Sequence, residues 1–509
     1  MFFNANKKVN ICSNKYYMGY LLLLGTLYCP VSYANNSATY LSNMKNGVSN
    51  LFSPQSSNDF NQLEINTLSN FQLDTSKVQE LPPITQYPHS FSVPSVASPV
   101  QPFSFNEAIL SAVQRSPDIS QNVALLASQD ANIDVAKAGY YPTISGGLST
   151  ADLSSGERGR QLLSLNATQM VYDFGKVKSG IDVQKAKLAS AQADVLVSMD
   201  NVALETADAL INVKRYQELT KIAQQQIKGI ARIAEITNLR AKAGISTQAD
   251  PVQAQSNLQA AQSILVEQES QLRQYKQKLR TLLGFDISVN ALTIPDSLVK
   301  ESSLYEDPDF KKIPELMAAN AEVEVAQFQK KQTKLSSYPT LNLKGSLSQA
   351  VNGKNPNNNE DDGMYSSIMF EASSNFYQGG AIASQARAAS YAEEAAKAKV
   401  NSVYLNVVDQ VRAIREQIEN KQQQIGILIS RREISIRTKE LYQEQYKLGT
   451  RSAVDFLNAE QAIHSAAQEI ENARFDIYAA IAKYIAVTGR TRDIYNLNNI
   501  SIQGFEIQP

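Results

Sequence analysis

Cysteine is nearly absent from this 509-residue chain: Cys12 and Cys29 are the only two, and both lie close to the N-terminus. Once that segment is removed, no disulfide, thiolate metal site or cysteine nucleophile remains. Histidine is equally scarce, and His89 and His464 stand in neither a metal nor a triad spacing. Glu322 and Glu324 are close in sequence, but helix surfaces carry many such carboxylates, and no glycine-rich phosphate loop is present. No enzyme activity, cofactor or metal is therefore expected. The formal net charge is -1, and no basic cluster is interleaved with aromatics, which argues against nucleic acid as a partner. Beyond residue 35 no window offers about eighteen consecutive apolar residues, so any membrane crossing must use strands.

The N-terminus reads as a secretory signal peptide over residues 1–34. Lys7, Lys8 and Lys15 precede the apolar run from Met18 to Tyr28, and Ser32-Tyr33-Ala34 supplies a small-x-small cleavage site. That run is about half the roughly twenty residues a spanning helix needs. Tyr28 is too bulky for the residue before a lipidated cysteine, so Cys29 is expected to leave with the signal. Export of a cysteine-free mature chain points to a bacterial envelope. Residues 35–102, rich in Asn, Ser and Pro without a sustained helical period, read as a disordered extension.

What remains is a duplication. Tyr172, Gly244, Asp250 and Gly284 recur as Tyr377, Gly449, Asp455 and Gly489, about 205 positions later; Pro117 and Tyr141-Pro142-Thr143 recur as Pro314 and Tyr338-Pro339-Thr340, about 197 later. The difference of about eight residues falls in the Asn-rich run Gly353 to Gly363, which marks an exposed loop tip. The repeats are placed at 103–300 and 301–492, with a C-terminal tail at 493–509.

Each repeat holds two segments of alternating polarity. Leu163, Leu165, Ala167 and Val171 alternate with Ser164, Asn166, Thr168 and Met170; Leu341, Leu343 and Leu347 alternate with Asn342, Lys344, Ser346 and Ser348; Ile368, Phe370 and Ala372 alternate with Ser367, Met369 and Glu371. A weaker strand carries Ile144, Gly146 and Leu148. Strands are expected near 141–151, 161–173, 338–350 and 364–377, the length of membrane-barrel staves with lumen-facing and lipid-facing sides. Lys344 and Glu371 are the lumen-facing candidates. Four strands cannot close a barrel, so several chains must share one. Each hairpin is followed by a proline-free stretch, near 181–243 and 381–448, long enough for a helix of roughly 95 Å. Val400, Val403, Val407, Val411, Ile414 and Ile418 give the second a coiled-coil seam. Past Gly244 and Gly449 shorter helices return as far as Gly284 and about Thr488. The helix from Pro314 is expected to complete the first return leg, the opening helix from Phe105 to Ala138 the second, and the segment between them to form a girdle.

These features together resemble the TolC family of outer-membrane export ducts, over about Phe103 to Arg490. The motifs that carry the resemblance are Phe105-Asn106-Glu107-Ala108-Ile109 leading to Ser116-Pro117, Tyr141-Pro142-Thr143, Tyr172-Asp173-Phe174-Gly175, and Gly449 through Ala459. The resemblance implies a mainly α protein with a transmembrane β element: a homotrimer whose two hairpins per protomer make a twelve-stranded barrel in outer-membrane lipid, extended by a helical tunnel into the periplasm. It implies a periplasmic adaptor and an inner-membrane ABC or proton-driven pump as partners. It also implies a gate at the turns Gly244 to Pro251 and Gly449 to Phe456. There Tyr446 and Arg451 match the tyrosine and arginine that lock the closed tip, Asp250 matches their acidic contact, and Asp455 matches an aperture aspartate. Asn458 replaces a second aperture aspartate, and Ala249 a threonine beside Asp250.

Type I protein secretion is the expected task, suggested by the Gly449–Asn458 stretch and the missing lipidated cysteine; multidrug efflux through the same duct is the alternative. A soluble periplasmic coiled-coil scaffold or adaptor is the alternative of another class. The chain has no tryptophan, a point against an aromatic belt, although Tyr141, Tyr172, Tyr338, Tyr365 and Tyr377 flank the strands.

Overall fold

The computed structural model describes residues 104–151, 160–285, 294–295, 297–375, 377–502 and 505–507. The expected signal peptide at 1–34 and extension at 35–102 lie outside the described residues.

Helices α1 (Phe105–Arg115) and α2 (Pro117–Lys137) open the described chain. Ser104 starts the first with a reciprocal capping box to Glu107, and Pro117 sits in the first turn of the second, where its missing N–H is harmless. A short 3₁₀ turn leads to strands β1 (Thr143–Ala151) and β2 (Arg160–Tyr172). Helix α3 (Lys176–Lys242) has 67 residues, roughly 100 Å at the helical rise, and α4 (Ala249–Leu283) runs back along it. Then come α5 (Ser297–Glu301), α6 (Pro314–Leu335), β3 (Thr340–Asn352) and β4 (Met364–Ser373). Helix α7 (Ala381–Lys447) repeats the 67 residues of α3, and α8 (Ala453–Val487) repeats the 35 of α4. A short α9 (Thr491–Ile494) and the β5–β6 hairpin (Ser501–Ile502, Phe505–Glu506) follow.

The four long strands form one antiparallel sheet in the order β1-β2-β3-β4. Its register is what makes it unusual for a water-facing surface. Ile144 opposes Ala167, Leu148 opposes Leu163, Leu165 opposes Leu347, and Leu343 opposes Phe370, so the apolar residues of all four strands share one face. That face is open: Ile144, Leu148, Leu163, Ile368 and Phe370 are each more than half exposed. The opposite face carries Ser164, Asn166, Thr168, Asn342, Lys344, Ser346 and Glu371. A register shift between Met170 and Tyr172 turns Tyr172 onto the apolar side, opposite Leu341.

Packing between helices shows which legs stack on which, and here the expectation is corrected. The C-terminal end of α4 at Gly284 lies against the Arg115 side chain, beside the α1–α2 junction, while the end of α8 at Gly489 lies against the Lys312 carbonyl and Pro314, at the start of α6. The opening helices therefore continue α4, and α6 continues α8, the reverse of the pairing expected from chain order. Sheet order explains it. Following β2 and preceding β3, α3 and α6 must be neighbours, and α6 packs on both α3 and α7 as α8 does below it.

At mid-height α3 is buried nearly all round, at Val195, Met199, Ala203, Ala207, Leu210 and Ile211. The girdle passes here: Arg415 donates to the Leu304 and Glu306 carbonyls at 2.7 Å each, and Arg490 donates to the Ser302 carbonyl at 2.8 Å. The C-terminal stretch contributes Leu497, Ile502, Phe505 and Ile507 to the same core.

Candidate gate at the helical tips

The two tips are built alike. After α3, the Ile245 N–H bonds back to the Arg240 carbonyl at 2.9 Å, and after α7 the Thr450 N–H bonds to the Gln445 carbonyl at 3.0 Å. Both closures are six-residue Schellman turns, and both need a left-handed residue, supplied by Gly244 (φ 72°) and Gly449 (φ 76°). The restarts differ. Ser452 caps α8, its Oγ accepting from the Asp455 N–H at 3.2 Å, whereas α4 has no side-chain cap and begins with Ala249 and Asp250.

Between the tips lies a second apolar cluster, separate from the main core: Ile230, Ile233, Ala254, Ala261, Tyr446, Ala453, Phe456 and Leu457. The Tyr446 and Phe456 rings lie tilted against each other with centroids 6.1 Å apart. This cluster joins the α3–α4 hairpin to the α7–α8 hairpin inside one protomer.

The predicted residues fall into two groups. Tyr446 is buried, and its hydroxyl is raised from its ordinary pKa by burial first and then by the nearby Asp250 carboxylate. Arg451 faces the other way. Its Nη1 lies 3.5 Å from Asp455 Oδ2, its Nε donates to Gln445 Oε1 at 3.0 Å, and its guanidinium sits 4.6 Å from the Tyr442 ring centroid. Within one protomer, then, the ion pair of Arg451 is with Asp455 of its own hairpin. Both partners are about 40% exposed, so the pair is worth less than about 1 kcal/mol. Asp455 and the exposed Asn458 are three residues apart and share a face of α8.

Sequence reading missed Arg240. Its guanidinium lies 4.8 Å from the Tyr446 ring centroid, and its Nη1 donates at 3.2 Å to the Lys447 carbonyl, one of the orphan acceptors ending α7. Tyr446 Oη, Ser246 Oγ and Arg240 Nε are buried without a directed hydrogen bond among the described residues. The available signal was a basic residue in the last turn of α3.

At the opposite end, Lys344 and Glu371 form an ion pair of 2.7 Å on the polar face of the sheet, beside a 2.7 Å bond between the Ser346 and Ser367 hydroxyls. Among the described residues no helix is long and apolar enough to cross a membrane and no group of three potential metal ligands occurs.

The sequence profile of outer membrane efflux proteins matches residues 108–285 and 311–490, one span in each repeat. The chain belongs to the outer membrane efflux protein family. It is similar to the outer membrane protein TolC of Vibrio cholerae, 24% identical over 347 residues that cover 66% of this chain and 78% of that one. Its fold is that of the outer-membrane channel OprN (TM-score 0.65, 16% identity, 76% of this chain and 89% of that one) and of VceC from Vibrio cholerae (TM-score 0.64, 17% identity, 76% and 96%). The family member is therefore an outer-membrane protein projecting into the periplasm, a channel and not an enzyme. This overturns the reading of the chain as a soluble periplasmic scaffold.

Proposed function

We propose that three copies assemble into one duct, a twelve-stranded barrel in the outer membrane continued by a helical tunnel, which passively exports cargo handed over by an inner-membrane pump through a periplasmic adaptor. The observation that carries this reading is the inside-out sheet. Its apolar face is open, and among the described residues β1 and β4 leave their outer edges unpaired. Such edges and such a face are stable in lipid only when other strands close them. The same flanks carry exposed apolar side chains, Leu125 and Val135 on α2 and Leu405, Ile427, Ile434 and Leu441 on α7, as a contact between copies requires.

Type I protein secretion is the principal task in this proposal, with small-molecule efflux as the second reading, favoured by the description of the family itself. At the closed tip Arg451 of one copy engages Asp250 of the next, a carboxylate near enough to raise the Tyr446 hydroxyl. Asp455 forms an acidic ring at the mouth, weakened by Asn458. Three symmetry copies of a small interaction add to a usable latch.

Single-channel conductance in planar bilayers tests the proposal. The wild-type protein should open to small, quiet levels that grow severalfold in Arg451→Ala and Asp250→Ala; unchanged conductance in both would remove the lock. Deletion of the gene separates the tasks, through loss of a secreted protein or gain of sensitivity to toxic compounds.

A further inference from the structure

Above the tip, α8 crosses α3 at a notch. Gly229 on α3 has no side chain, and the Glu460 carboxylate of α8 fills the space: a Cβ built on Gly229 would stand 1.8 Å from Glu460 Oε1. Glu460 is 2% exposed, which makes it one of the most deeply buried carboxylates among the described residues. Two partners come from the α7–α8 hairpin. Lys439 Nζ of α7 lies 2.5 Å from Oε2, and His464 Nε2, one turn further along α8, lies 3.2 Å from Oε1. Burial pushes the Glu460 carboxyl up, but His464 and Lys439 outweigh it and hold it below the ordinary glutamate value.

The surroundings make this cluster distinctive. Apart from Arg240, which reaches the Tyr446 ring and the Lys447 carbonyl, the cluster joining the hairpins near the tip is alanine, isoleucine and leucine with Tyr446 and Phe456, and such apolar surfaces slide past one another with small loss. A buried charge pair in a one-residue notch does not slide. Displacing the α7–α8 hairpin along α3 would drive Glu460, with its partners on the same hairpin, into a helix backbone bearing Cβ atoms on either side of Gly229.

We propose that Glu460 is a positioning residue for the gate: seated in the Gly229 notch and paired with Lys439 and His464, it clamps the α7–α8 hairpin onto α3 in the one register that keeps the tip closed. The clamp rests on the duct reading above, and it is a separate latch from Arg451, higher on the wall and internal to one protomer.

The scarcity of cysteine makes the test direct. With Cys12 and Cys29 changed to serine in the full chain, spin labels on cysteines at the exposed Gln225 of α3 and Gln461 of α8 report their separation by pulsed electron resonance. Gly229→Ala and Glu460→Gln are the two variants. Alanine favours helix over glycine, so the first perturbs only the notch, and the second keeps the shape while removing the charge. The expected result is one narrow distance in the parent, a distribution broadened or shifted by several ångströms in both variants, conductance raised severalfold in both, and Lys439→Arg behaving as the parent. An unchanged narrow distance in both variants overturns the clamp. A changed distance with parental conductance overturns its role in gating, provided that Arg451→Ala opens the channel in the same bilayers. Should Arg451→Ala also be silent, the tip-gate reading fails instead, and the changed distance still establishes the clamp.

Discussion

The sheet and the helical wall bury opposite things. In the wall, Val195, Met199, Leu210 and Ile211 point inward and are sealed, and the few carboxylates that join them inside, Asp200 and Glu460 among them, are exceptions. In the sheet, Ile144, Leu148, Leu163, Ile368 and Phe370 stand outside while Lys344 and Glu371 share the other face as an ion pair. One chain is thus written for two solvents. The change occurs within a few residues, at the Gly175 and Gly380 caps where each sheet strand hands over to a long helix. It implies that the same substitution has opposite consequences at the two ends, and the following experiments test that contrast in order of how far the expected effect spreads, from the whole assembly to single sites.

The strongest is a charge on the outer face of the sheet. Ile368→Lys should cost about 2–4 kcal/mol at the bilayer midplane, enough to prevent assembly, and heat-modifiable gel mobility of outer-membrane fractions would show the folded form missing. The same change on the exposed Ile427 of α7 should leave the fold intact and weaken only association between copies.

Next is a deeply buried carboxyl of the mid-wall whose pKa is strongly raised. Asp200 is pushed up to about 7, chiefly by burial and against the pull of Arg492. A raised carboxyl favours the folded state only while protonated, so stability should fall as pH rises from about 4 to about 7 and stay level above. Asp200→Asn should remove that slope and raise Tm at pH 8, the gain in stability being roughly 4 kcal/mol at most on the usual 1.36 kcal/mol per unit. A Tm profile parallel to the parent would contradict this.

Phe456→Ala should follow, at about 3–5 kcal/mol locally for a buried aromatic, seen as faster hydrogen exchange confined to the tip with the sheet unaffected. Smallest is Lys344→Ala. Its partner Glu371 is about a third exposed, so stability should change by less than about 1 kcal/mol. Assembly should be normal and, if the proposed barrel turns this face to its lumen, ion selectivity should shift, because the residue lies on the face opposite the apolar one.

Part of this architecture could be read from sequence because local patterns determine it. Period-two alternation around Leu165, Leu343 and Ile368 marks strands whatever lies beside them, and proline-free runs ending at Gly244 and Gly449 admit little but helix. The stacking of return legs was not legible. Helices α2 and α6 have 21 and 22 residues, so either one completes either leg, and the choice rests on Arg115 over Gly284 and Lys312 over Gly489, contacts without a sequence signature. At the tip, Tyr446 and Asp250 emerged through resemblance, whereas Arg240 was one basic residue among many until the fold laid its guanidinium on the Tyr446 ring. The Gly229 notch was equally silent, since a helical glycine shows its purpose only when Glu460 fills it.

The central claim is that the four-stranded sheet is one third of a closed barrel. Hydrogen exchange of the assembled protein, read strand by strand, tests it most directly. Closure predicts that the amides of β1 and β4 are as protected as those of β2 and β3, because neighbouring copies complete both edges. Rapid exchange along the outer edges of β1 and β4, with β2 and β3 protected, would contradict it.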